Sequence, residues 1–317
     1  MQKDLQIKIR LENGKAQLEF LLPEEILTEC PEAGMRVEIW ETANGGRPVF
    51  YGNYLPGNRD PMTALLLRPH LWNGVRDPYL YQVKAWLRFS TGREVCWQQD
   101  LAIYDLCVIE KKGVYLNGAE FCPHIVGYRL PPQISESGTQ EEQMERDLER
   151  LARMGVNAIQ LQGTGAGDIR QDSAEMRSFQ NLCRKRGFLT DDLWIRSGNI
   201  PVYRGLPGET SQEVLLSADG RTLTERYYYY QAKWSGDPVL YPAFSTLHLQ
   251  ENGRVSLTVY SNQKKVVLYV DGVLFLFQSS QPGDAEFVFE DIPVAKLPLH
   301  LAVEAGNLST SLTISKI

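Results

Sequence analysis

Polar and apolar residues alternate over short runs at the start of the chain: Gln6-Ile7-Lys8-Ile9-Arg10, then Ala16-Gln17-Leu18-Glu19-Phe20. A period of two sends alternate side chains to opposite faces, the mark of a half-buried β-strand. Asn13-Gly14 between these runs predicts a tight hairpin, because both residues tolerate the left-handed backbone that such a turn needs. Val37-Glu38-Ile39-Trp40, the run from Tyr79 to Leu87, and Val95-Cys96-Trp97 continue the pattern without a helical period. Residues 1–109 are therefore expected to form an antiparallel β-sandwich.

The period changes near residue 113. Thr139-Gln140-Glu141-Glu142 is a capping box, in which the threonine oxygen and the second glutamate satisfy backbone N–H groups left over at a helix start. Met144, Leu148, Leu151 and Met154 follow at helical spacing, and Gly155 suits the left-handed residue that closes a helix. Residues 156–161 read as a strand, 172–187 as a second helix, and Phe188-Leu189-Thr190 as another short strand. This alternation implies a parallel α/β unit, placed at residues 110–240 and closed by a helix from Thr222 to Trp234. Strands return after Pro238, with Val266 to Phe277 folding back about Asp271-Gly272, so residues 241–317 are expected to form a second sandwich. The fold class expected is multidomain, β and α/β.

Composition narrows the function. Apolar residues make up 43% and charged residues 23%, an ordinary soluble balance. With 33 Lys and Arg against 39 Asp and Glu, and no basic run, the chain lacks the positive face that phosphate binding needs, so no nucleic-acid partner is expected. No apolar run is long enough to span a bilayer and no apolar leader opens the sequence, so neither a membrane partner nor secretion is expected. The five cysteines are scattered without a CxxC pair and read as buried thiols in a reducing, cytoplasmic protein. The four histidines are too dispersed for a metal site, and HExxH, GxSxG and P-loop patterns are absent, so neither metal nor cofactor is expected. Gly163-Thr164-Gly165-Ala166-Gly167 is similar to a nucleotide loop, but Asp168 stands where the last glycine of GxGxxG belongs.

Several segments together carry a resemblance. Leu71-Trp72 with Asp77-Pro78-Tyr79-Leu80-Tyr81, Gly113 to Gly118, Met144 to Ile159, Phe179 to Leu193, Tyr227 to Leu240, and Val259-Tyr260-Ser261-Asn262 with Leu268 to Gly272 fall in a fixed order. In that order they resemble the signatures of glycoside hydrolase family two, the family of β-galactosidases, β-glucuronidases and β-mannosidases. The resemblance covers most of residues 10 to 317. It implies an immunoglobulin-like sandwich, a catalytic (β/α)8 barrel and a C-terminal immunoglobulin-like sandwich.

The departures carry the functional reading. A complete barrel takes roughly 250 residues, and the stretch from Leu116 to Trp234 holds roughly half of that. Between Asp192 and Tyr227 the family would place strands four to eight, so the segment at 110–240 reads as a truncated barrel remnant. Retaining glycosidases need two carboxyl groups about 5–5.5 Å apart. The family's acid/base is the glutamate of an Asn-Glu pair, and no such dipeptide occurs in this chain. The segment that would bear the nucleophile is missing too, so no catalytic residue is assigned. Gln160 also stands where the family has an arginine, and Asp191-Asp192 replaces its Asp-Glu.

The resemblance sets His124 and Arg129, around the first barrel strand, where the family has polar groups that grip the sugar; Asp191 and Asp192 follow the third strand, and Trp194 is an aromatic able to stack on a pyranose, with packing, capping or solvation as the alternative for each. Adjacent strand residues point to opposite sides, so the aspartates do not form a catalytic pair across one bond. Tyr227 to Tyr230 cover almost all azimuths of a helix and are expected to pack rather than form a sugar platform. The resulting expectation is a catalytically inactive family relative serving as a carbohydrate-binding or interaction protein. The rivals are a glycoside hydrolase with a rearranged or partner-completed site, and a structural subunit that binds no sugar. A three-strand fragment leaves an open edge, expected to be covered by residues 195–220 or by a second copy in a homo-oligomer.

Overall fold

The computed structural model describes residues 5–22, 34–42, 46–54, 62–89, 91–109, 111–131, 134–135, 138–161, 174–190, 202–203, 215, 222–250, 253–281 and 283–315. Seven strands come first: β1 (Gln6–Glu12), β2 (Lys15–Leu21), β3 (Gly34–Glu41), β4 (Arg47–Tyr54), β5 (Met62–Leu67), β6 (Tyr81–Arg88) and β7 (Glu94–Leu101). They form two antiparallel sheets, ordered β1-β2-β5 and β4-β3-β6-β7. Alternation decides the faces: Leu18, Phe20, Val37, Ile39, Ala85 and Leu87 all turn into one core. The β1–β2 turn has Asn13 and Gly14 at positive φ, as the sequence requires.

The outward face of the four-stranded sheet is charged and aromatic. Arg36, Glu38 and Trp40 alternate with the core residues of β3. The Arg36 guanidinium lies 5.1 Å from the Tyr51 ring centre and 5.0 Å from that of Trp86, and the Lys84 ammonium 5.6 Å from Trp40. Glu38 accepts hydrogen bonds from Arg36 and from Trp40 Nε1. Burial alone would push its carboxyl up, but these bonds and the charges of Arg36 and Lys84 hold it below the usual carboxylate range.

A small sheet follows, of β8 (Leu106–Ile109), β9 (Gly113–Leu116) and β10 (Ala119–Phe121). Then come β11 (Ile125–Tyr128), a short hairpin of β12 (Ile134–Ser135) and β13 (Gly138–Thr139), helix α1 (Gln140–Met154), β14 (Ala158–Leu161), α2 (Ala174–Arg186), β15 (Val202–Tyr203) and α3 (Glu225–Trp234). The capping box at the head of α1 is complete. Glu142 N–H donates to Thr139 Oγ1 at 3.3 Å and Thr139 N–H to Glu142 Oε2 at 3.0 Å. Gly155 ends the helix at φ +93. β11 pairs in parallel with β14 on one side and β15 on the other, giving the order β14-β11-β15.

Phe188 to Thr190 does not become a full strand, and only Leu189 bridges. The Phe188 N–H is spent on Cys183 O at 2.8 Å, closing the last turn of α2, so a run of three residues has little left for a ladder. The expectation of buried thiols also needs correction. Cys183 is buried, but Cys96 and Cys122 are exposed, because Cys96 falls on the outward side of β7. Among the described residues no helix is long and apolar enough to cross a membrane.

The last seven strands are β16 (Leu240–Leu249), β17 (Arg254–Ser261), β18 (Lys265–Val270), β19 (Val273–Ser279), β20 (Glu286–Pro293), β21 (Leu299–Ala305) and β22 (Leu308–Ile314). They make sheets ordered β16-β17-β20 and β19-β18-β21-β22 around Val259, Leu268, Phe289 and Leu301. The β18–β19 turn is the expected one, with Asp271 at φ +48 and Gly272 at φ +80.

The chain forms two compact units: Met1–Pro123 with Arg170–Ile200, and His124–Ile169 with Pro201–Ile317. Within the first, Trp72 is buried and its Nε1–H donates to Arg184 O at the end of α2, at 2.9 Å. The chain turns closely there: a Cβ on Gly187 would lie 2.4 Å from Gly74 O.

Candidate functional site

A parallel sheet presents its functional face at the C-terminal ends of its strands. On β11 that end is Tyr128 with Arg129 just beyond, and on β14 it is Leu161. Arg129 is half-buried, and its Nε is buried without a hydrogen-bond partner among the described residues. A buried guanidinium N–H with nothing to donate to is a costly arrangement, and an oxygen-bearing ligand would relieve it.

His124 precedes the opposite end of the same strand. Its backbone N–H donates to Asn157 Oδ1 at 2.8 Å, and its Nδ1 lies 2.9 Å from Gly155 O. A carbonyl only accepts, so Nδ1 carries the proton. The ring stacks on Trp234 at 5.1 Å between centres, 11° from parallel. Five residues of strand span about 16 Å, so His124 and Arg129 do not reach one pyranose together. Asp191, Asp192 and Trp194 lie outside the described residues, as does the glycine-rich run from Gly163 to Gly167.

Beneath the Arg129 end sits a group that pattern reading missed. Asp147, on the inner face of α1, is buried; it accepts from Tyr128 Oη at 3.0 Å and from Gln143 Nε2 at 2.8 Å, with Arg150 3.8 Å away. Burial pushes its carboxyl above the usual range, and the two hydrogen bonds and the nearby arginines only partly offset that. The signal was visible: Asp147 falls at i+3 from Met144 and i−4 from Leu151, on the apolar stripe itself.

The tyrosine run packs, as expected. Tyr227 is buried, its phenol pushed up to about 12 by burial, and its hydroxyl donates to Arg150 O at 2.8 Å. Tyr228 stacks on Tyr241 at 3.7 Å, Tyr229 meets Tyr260 edge-on at 5.5 Å, and Tyr230 lies 4.5 Å from Trp234.

The first unit holds an open cleft of about 450 Å³ lined by Thr42, Asp77, Tyr79, Asp100 and Lys185, among others. Each carboxylate there already has a basic partner: His70 Nε2 is 2.6 Å from Asp77 Oδ2, and Lys185 Nζ is 3.1 Å from Asp100 Oδ2. No cluster of three or more His, Cys, Asp or Glu able to hold a metal occurs among the described residues.

Comparison with known proteins gives the fold a context. No protein-family profile matches the chain. A β-glucuronidase of Bacteroides fragilis is 30% identical over 103 residues, which is 32% of this chain and 15% of that one. The structure of an FMN-binding β-glucuronidase from Faecalibacterium prausnitzii L2-6 superimposes with a TM-score of 0.72 at 13% identity, covering 99% of this chain and 73% of that chain. A glycosyl hydrolase family 2 member from Bacteroides cellulosilyticus DSM 14838 superimposes with a TM-score of 0.63 at 13% identity, covering 98% and 63%. The match to the curated relative spans 15% of that protein's length, and the chain covers 73% and 63% of the two solved chains.

Proposed function

We propose that this chain, which has the fold of glycoside hydrolase family two enzymes over nearly its whole length, is a non-hydrolytic member of that group that binds carbohydrate. The observation that carries the reading is the reduced parallel sheet. In this reading β14, β11 and β15 are what is left of a (β/α)8 barrel. The stretch from Asp192 to Tyr227 is too short for the strands that would bear the two catalytic glutamates, and the sequence has no Asn-Glu pair. Two carboxyl groups on one glycosidic bond are the minimum for the usual mechanism, and neither has a counterpart here. At the C-terminal end of β11 stands Arg129, with a buried N–H that has no partner among the described residues; by sequence the chain also carries Asp191, Asp192 and Trp194. An arginine donor, carboxylate acceptors and an indole are the groups that hold a sugar's hydroxyls and its apolar face.

The test pairs two measurements on the full chain. Nitrophenyl β-glucuronide, β-galactoside, β-mannoside and β-glucoside are incubated at high protein concentration, and thermal unfolding is followed with the matching free sugars and oligosaccharides. The expected result is no release of nitrophenol and a rise in Tm with at least one sugar, since a ligand bound only by the folded state stabilises it. Turnover that disappears in an Asp191→Ala/Asp192→Ala double variant would overturn the reading and establish a rebuilt hydrolytic site. No turnover and no stabilisation by any sugar would overturn it in favour of a structural subunit.

A further inference from the structure

The C-terminal sandwich ends on one side in a strand that is apolar on both faces. β19 reads Val273-Leu274-Phe275-Leu276-Phe277 and is the outermost strand of its sheet, paired only with β18 among the described residues. Phe275 packs against the core, but Val273 is 70% exposed, Leu274 55%, Leu276 43% and Phe277 54%. Soluble proteins usually protect a sheet edge with charge, proline or a covering segment, and rarely leave so many large apolar side chains together in water. Here the Lys265 ammonium of β18 lies 4.2 Å from the Phe277 ring centre, and the device within the strand is a bulge: Leu268 pairs with Leu276 and Tyr269 with Leu274, leaving Phe275 as the extra residue.

We propose that β19 is a self-association surface, on which a second copy of this chain docks with its own β19 antiparallel about a two-fold axis. Two features favour a second copy over another occupant. The apolar order is nearly symmetric about Phe275, so an antiparallel mate sets Leu274 against Leu276 and Val273 against Phe277, apolar against apolar at each step. A two-fold interface requires such self-complementarity. The ends also match in charge. The turn end of β19 carries exposed Asp271, and the far end, at Ser279, lies beside exposed Lys265 and Lys264. Reversing one copy brings each Asp271 to the lysines of its mate, twice by symmetry. The contact is between side chains rather than a continuous ladder, because the bulge at Phe275 breaks the backbone register. It is independent of sugar binding, since no residue of β19 belongs to the Arg129 end of the parallel sheet.

Sedimentation velocity over a wide range of protein concentration tests this. The expected outcome is a reversible monomer–dimer equilibrium with a Kd on the order of micromolar. Leu274→Lys and Phe277→Asp, both at exposed positions and checked for unchanged far-ultraviolet dichroism, should leave the protein monomeric. Lys264→Gln/Lys265→Gln and Asp271→Asn should each weaken dimerisation roughly threefold, with their combination no weaker than either alone, because they remove the same contact. Asparagine keeps the left-handed turn backbone, so the second variant tests charge alone. A protein monomeric at every concentration would overturn the proposal. So would a dimer indifferent to Leu274→Lys, or charge effects that simply add.

Discussion

The hydroxyl of Tyr128 donates to the carboxylate of Asp147 at 3.0 Å, joining the last residue of β11 to the inner face of α1. Both groups are buried, so each depends on the other for satisfaction. Tyr128→Phe keeps the packing and leaves Asp147 with one fewer donor. Denaturant titration should show a loss of about 1–3 kcal/mol, the cost of leaving a buried polar group short of a partner.

The same carboxylate sets a pH signature. Its pKa is raised by burial, so the folded state holds this proton more tightly than the unfolded chain does. The contribution of Asp147 is then largest at acid pH and falls as pH rises from the ordinary aspartate range through the raised folded value. An Asp147→Asn variant should lack that decline. Stability measured from pH 3.5 upward checks it, and an unchanged slope would remove Asp147 from the account.

Glu38 has the opposite sign. Its burial cost is outweighed by the bonds from Arg36 and Trp40, and its folded pKa lies below the usual 4.5. Its contribution is present above that value and is lost as pH falls through the lowered one. Glu38→Gln should reduce stability at neutral pH and flatten the acid limb of the profile, as followed by thermal melts.

Gly187 and Gly92 form a matched test of space against backbone. Both sit in left-handed conformation, at φ +86 and φ +84. A Cβ at Gly92 meets nothing within 4 Å, whereas at Gly187 it would lie 2.4 Å from the Gly74 carbonyl oxygen. Gly92→Ala should cost about 1 kcal/mol from backbone strain alone. Gly187→Ala should cost distinctly more, since two backbones would have to part; equal losses would show that the crowding is relieved elsewhere.

For sugar binding the two ends of β11 should separate cleanly. Arg129→Ala is expected to abolish sugar-induced stabilisation while leaving the melting temperature of the free protein nearly unchanged or higher, as an unsatisfied buried N–H is removed. His124→Ala should lower the free protein's Tm and leave the sugar-induced rise intact, because its ring is held by Gly155 and Trp234. Thermal melts with and without the panel sugar that gives the largest rise in Tm distinguish the two.

Much of the fold was legible because its signals are local. Alternation placed β1, β2, β3, β6 and β7 of the first sandwich but not β4 or β5, Asn13-Gly14 and Asp271-Gly272 fixed two hairpins through positive φ, and the Thr139–Glu142 box set the start of α1. The site was less legible. His124 and Arg129 look equivalent when read along the chain, yet a strand separates them by its whole length, and only the direction of β11 says which end can bind. Asp147 was passed over because a carboxylate on an apolar stripe reads as noise until Tyr128 is seen to face it. Phe188 to Thr190 misled for a similar reason: the run has strand composition, but closing α2 consumes its first N–H.

The bond from Trp72 to Arg184 has a consequence during synthesis. The N-terminal sandwich is made first, but Trp72 and Gly74 are completed by α2 and Gly187, which leave the ribosome about a hundred residues later, after β11, α1 and β14 have emerged. At about 5–20 residues per second, that indole waits roughly 6–22 seconds without its cover. Chaperone engagement of nascent chains should therefore persist past the first sandwich and fall only once residue 187 is exposed.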